Sequence, residues 1–199
     1  IITHYNLIKT RRWYWWVLGL TGFFVLAVSF SRSAFVAFFV GAAFLAYREN
    51  WLKKYSKLLI PVLVAPILLF LGVGLFKTTL YSRVYFIQGI FGFIKYPLGV
   101  GLGNFAKVSN EMGNILSITD KSAFAHNIVL EVLVGVGVLG VIFMVWLFKV
   151  LHDLTRRGDI LYSALFIALT ANFFFDTTYY IPAMLWLWFI LLGLAQKRQ

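Results

Sequence analysis

The 199-residue chain has no cysteine, which excludes disulfides and thiolate metal sites. Charge is scarce: 13% of residues are charged, and only seven are acidic. A soluble domain is about a quarter charged and about half apolar. This chain is 61% hydrophobic. Histidine is limited to His4, His126 and His152, scattered without metal-ligand spacing. No protein-bound metal is therefore expected. Internal repeats and low-complexity tracts are also missing. The net charge of +11 raises the possibility of nucleic-acid binding. That partner is rejected, because the basic residues cluster between apolar runs, where the positive-inside rule of membrane proteins places them.

What is there is aromatic and apolar. Phe, Trp and Tyr make up 19% of the chain, a composition suited to aromatic belts at lipid headgroups. Crossing a bilayer core takes roughly 20 apolar residues in a helix. The run from Trp13 to Tyr47 is apolar throughout except for Arg32. As one helix it would be about 52 Å long, too long for the core, so it is read as two spans meeting at Ser31-Arg32-Ser33. The expected fold is an all-α polytopic membrane protein with about six transmembrane helices. The spans are placed at 13–31, 33–50, 58–76, 127–148, 160–175 and 179–195. The last two form a hairpin turning at Asp176-Thr177-Thr178. Pro61 and Pro66 bend the third. The whole of 1–199 is expected to be a single membrane domain, the C-terminal part of a larger protein.

Charge sets the orientation. Twelve basic residues, among them Arg12, Arg48, Lys149, Arg156 and Arg157, then fall on one side, the cytoplasm. The other six, Arg32, Lys77, Arg83, Lys95, Lys107 and Lys121, fall outside or at the outer rim. Residues 77–125 form a large external loop. Within it, Val84, Ile87, Phe91 and Ile94 recur at roughly helical spacing until Pro97, which predicts a helix over 81–96 on or dipping into the outer interface. Gly99, Gly101 and Gly103 supply a tight turn, and 104–121 is polar enough to sit in water.

This topology brings three residues to one membrane face at similar depth. Arg32 lies at the outer end of the first hairpin, Arg83 in the external loop, and His126 at the outer end of the fourth span. Arginine offers a planar fork of donors suited to phosphate oxygens. A histidine at the mouth of an apolar span can exchange protons while touching water. Alone, each has a plainer role: Arg32 snorkelling to headgroups, Arg83 a loop arginine, His126 an interfacial histidine. Together they suggest a site for a phosphate-bearing lipid. Glu131 lies about 140° round the helix from His126 and shares a face with Asn127, so it is expected to pack toward another helix or hold the loop, not to orient His126 directly. Asp176 is read as a turn residue. Gly135-Val136-Gly137-Val138-Leu139-Gly140 matches a dinucleotide fingerprint, but it sits within a span without strand–turn–helix context. Its glycines are expected to permit close helix packing.

Three segments resemble the O-antigen ligase and O-antigen polymerase superfamily. Ser29-Phe30-Ser31-Arg32-Ser33-Ala34 resembles its Ser-Arg-Gly-Ala element, with Ser33 where glycine is usual. Arg83, then Pro97 and the turn Gly99 to Phe105, resembles its external-loop arginine and Gly-x-Gly-x-Gly-Asn-Phe element. His126-Asn127, Leu130-Glu131, Gly137 and Gly140 resemble its His-Asn-x-x-Leu-Glu segment. The resemblance implies a glycan transferase of the bacterial inner membrane, facing the periplasm, without metal or cofactor. The donor would be a glycan on undecaprenyl diphosphate, and the acceptor a glycolipid, glycan or protein hydroxyl. Arg32 and Arg83 would hold the diphosphate and His126 would take the acceptor's proton. Asn127, Gly101 and Asn104 would line the substrate site. A polymerase or a protein O-oligosaccharyltransferase uses the same donor. A transporter would instead place charges near the midplane, and a passive envelope scaffold would leave the rim arginines replaceable.

Overall fold

The structure is a computed structural model describing residue 2 and residues 13–29, 31–50, 79–116 and 121–196; the side chains of residues 16, 79–83 and 116 lie outside that description. Every regular element among the described residues is helical: α1 (Trp13–Val28), α2 (Arg32–Arg48), α3 (Thr79–Lys95), α4 (Phe105–Leu116), α5 (Ile128–Val136), α6 (Leu139–Arg157), α7 (Ile160–Phe173) and α8 (Pro182–Gln196), with a 3-10 turn at Thr178–Tyr180. The all-α class therefore holds. Spans do not follow from it directly. Among the described residues no helix is long and apolar enough to cross a membrane. The 16 residues of α1 reach about 24 Å, short of a core about 30 Å thick. The longest helix among the described residues, α6, has 19 residues but carries Lys149, Asp153, Arg156 and Arg157. The expected span 58–76 lies outside the described residues.

The described chain forms two compact units. The first holds α1, α2, residues 151–172 and α8. The long apolar run does break where expected: Ser31 caps α2, its hydroxyl accepting from Ala34 N at 3.3 Å and lying 3.1 Å from the Ser33 hydroxyl. Phe23 and Phe38 meet edge-on at 6.2 Å, folding α1 back on α2. Asp159 starts α7 by accepting from Leu161 N and Tyr162 N. Trp188 of α8, fully buried, stacks on Phe166 at 5.0 Å and donates through Nε1 to Thr170 Oγ1 at 2.8 Å. Arg48 donates to the carbonyls of Leu154, Thr155 and Gly158. These are free acceptors at the end of α6, so the guanidinium closes that helix end and complements its dipole.

The second unit holds α3, α4, α5, residues 139–150 and residues 173–181. The span expected over 127–148 is broken in it. Helix α5 ends at Val136, Gly137 takes φ +64°, and α6 begins at Leu139. The cause is the glycine turn of the external loop, which docks there. Val100 N and Gly101 N donate to the carbonyls of Val134 and Gly135 at 2.9 and 2.8 Å, and Val138 N donates to Pro97 O at 2.8 Å. A Cβ on Gly137 would sit 2.0 Å from Pro97 O, and one on Gly99 would sit 2.3 Å from Gly135 O. Gly135 and Gly137 thus admit the loop backbone, whereas Gly140 lies against the backbone of α5 at Val132 and Leu133.

Helix α3 forms as its periodicity predicts, but it packs by a different face. Gln88, Gly89 and Gly92 are buried, the glycines against Leu130, Val108 and Val134. Of the apolar stripe, Ile87 and Ile94 are exposed by 54% and 71%, while Val84 and Phe91 are half-buried. Residues 104–116 are not simply water-borne. Helix α4 buries Phe105, Val108, Ser109 and Met112, one face at helical spacing. Glu111 ties α3 to α4, accepting from Tyr96 OH at 2.6 and 2.7 Å and from Lys95 Nζ at 2.9 Å. These bonds hold the Glu111 carboxyl below its ordinary range, the Tyr96 bond foremost, and raise Lys95 and Tyr96.

Candidate functional site

His126 sits in a short loop just before α5, with φ +52°. A non-glycine residue in that left-handed region is uncommon, and strain of this kind persists only where the surroundings enforce it. Both neighbours enforce it here. Asn127 caps α5, its Oδ1 accepting from Val129 N at 2.9 Å and Leu130 N at 3.1 Å, while its Nδ2 donates to Phe174 O at 3.1 Å. Ala125 N donates to Glu131 Oε2 at 2.9 Å. Glu131 is buried, and its other oxygen, Oε1, accepts from Tyr180 OH. Glu131 thus holds the loop, as its place round the helix predicted. The held backbone presents the imidazole outward. His126 is exposed, and its ring stacks on Tyr85 of α3 at 5.1 Å and 18°.

An exposed imidazole on a fixed loop can accept a proton from a hydroxyl brought to it. Stacking on Tyr85 fixes the ring plane and leaves the ring edge to solvent. Phe124 and Tyr180 add ring surface close by, their centroids 4.3 Å apart. Arg83 belongs to α3, two positions before Tyr85; its side chain is outside the described residues. Arg32 is the first residue of α2, exposed, and belongs to the first unit. His126 and Arg83 share the second unit.

The remaining expected site residues have local bonds. Gly101, at φ +91°, gives its N–H to Gly135 O, and Asn104 Nδ2 donates to Val100 O at 3.0 Å. Both therefore build the docked turn, and Asn127 builds the cap. Asp176 acts within the turn between α7 and α8, accepting from Thr177 N. Tyr85 and Tyr180 were missed from sequence. Neither stands in a motif, and each meets its partner across more than 40 positions, so no local signal marks them. No protein family, curated protein or solved structure matches the chain.

Proposed function

We propose that the chain is the catalytic part of a membrane glycosyltransferase of the O-antigen ligase type. It moves a glycan from an undecaprenyl-diphosphate carrier to an acceptor hydroxyl at the outer face of the bacterial inner membrane. The observation that carries this proposal is His126: an exposed imidazole held in a left-handed backbone by bonds on both flanking residues.

In this mechanism His126 takes the acceptor's proton as the hydroxyl oxygen bonds to the sugar carbon and the carbon–diphosphate bond breaks. The resemblance gives Arg83 the task of neutralising the departing diphosphate. Asn127 caps α5 and holds the loop that carries the imidazole.

Membrane embedding is supported by what the helices expose. Trp13, Leu20 and Phe24 of α1, Ile142 and Val145 of α6, and Trp186 of α8 are each more than 60% exposed. Large apolar side chains exposed along each of these helices have hydrocarbon as a suitable solvent. The exposed Ile87 and Ile94 of α3 fit a helix in the outer interface. Helices of 14 to 17 residues match a core of about 30 Å when flanking apolar residues and local thinning make up the rest.

The test is reconstitution of the full-length protein in liposomes with a lipid-linked glycan donor and a candidate acceptor. Transfer without added metal is expected; no transfer to a glycolipid, glycan or protein acceptor refutes the proposal. In cells lacking the gene, untransferred lipid-linked chains indicate a ligase. Loss of long chains indicates a polymerase, and a loss confined to glycoprotein indicates a protein O-oligosaccharyltransferase.

A further inference from the structure

A buried carboxylate is costly unless every oxygen finds a donor. Glu131 meets that need with two donors from different parts of the chain, Ala125 N–H and Tyr180 O–H. Ala125 immediately precedes His126. Tyr180 ends the 3-10 turn that connects α7 to α8. A second tie runs alongside, from Asn127 Nδ2 to Phe174 O. The two residues flanking His126 are therefore both anchored to the 174–180 segment. Tyr180 is further braced by ring contacts with Phe124 at 4.3 Å and Tyr179 at 4.9 Å.

We infer that Tyr180 is a positioning residue for His126, acting through Glu131 and the Ala125 N–H. It touches no reacting atom. Its hydroxyl holds the carboxylate that holds the backbone, and the backbone aims the imidazole across Tyr85. The effect on transfer rests on the proposed role of His126 as base; the effect on the imidazole's position does not.

Tyr180→Phe removes one hydroxyl and keeps the ring. The full-length protein is labelled at histidine, and His126 is assigned by the signal lost in His126→Gln. In the wild type the Tyr85 ring current displaces the His126 ring protons upfield. In Tyr180→Phe they move toward free-imidazole positions while the His152 signals stay. Transfer falls about 10- to 100-fold in kcat with KM for the donor unchanged, as misplacing a reacting group by an ångström does.

His126 signals identical in Tyr180→Phe and wild type overturn the inference, whatever transfer does. If Tyr180→Phe does not fold, the Ala125 amide of the wild type decides: slow exchange supports the tie to Glu131, and exchange at the rate of a free loop amide overturns it. Displaced His126 signals in Tyr180→Phe, with normal transfer by His126→Ala, sustain the positioning role and refute the proposed base instead.

Discussion

At His126 the sequence and the backbone point the same way for different reasons. Its exposure was legible from its place at the head of an apolar run. Its left-handed φ was not, because that depends on Glu131, five residues on, and on Tyr180, 54 residues on. Gly137 shows the same limit. The fingerprint around it reads as a packing motif until Pro97, forty residues earlier, is found against it. Gly137→Ala should therefore be severe. The positive φ alone costs about 1–3 kcal/mol, and the added Cβ meets backbone that cannot swing aside. A drop in stability of about 2 kcal/mol or more is expected from thermal unfolding in detergent. An unchanged midpoint would mean the 97–101 turn does not dock there. Asn127→Ala is milder, about 1 kcal/mol for the lost cap. A cap Asn127→Ser should recover most of that stability, though not the bond to Phe174 O.

Helices were easier to foresee than their faces. The break between α1 and α2 was legible because Ser-Arg-Ser interrupts an overlong run and serine caps helices. The existence of α3 was legible from its period. Which side it buries was not, since Gly89 and Gly92 contribute closeness rather than hydrophobicity, and closeness has no periodic apolar signature. The α3–α4 contact carries a pH test. Glu111 has a lowered pKa in the folded protein, so the stability it contributes is present above its ordinary value of 4.5 and lost as pH falls through the lowered folded value. Amide protection in α4 should be full at pH 6 and weaken in the acid range. Glu111→Gln should remove this acid-dependent part; the same acid response in that variant would assign it to other carboxyls.

For the molecule as a whole, composition indicated a membrane protein, while the helices among the described residues are shorter than the expected spans. The sequence registers apolar residues, but turns and breaks subtract from them: α5 and α6 divide one run, and α7 stops at Phe173. Orientation can be tested because the chain has no cysteine. Asn110, exposed on α4, should as Asn110→Cys react with an impermeant thiol reagent in intact bacteria, while Arg156→Cys on α6 should react only after lysis. The reverse pattern would put His126 on the cytoplasmic side, away from the proposed substrates. The central claim is that His126 is the base in glycan transfer. Its most direct test is His126→Ala in the full-length protein, reconstituted with lipid-linked glycan, with transfer and donor binding measured separately. Transfer should fall by about 10²–10⁴-fold, the usual contribution of a general base, while donor binding stays near the wild-type level. Transfer at the wild-type rate by a folded His126→Ala protein would contradict the account.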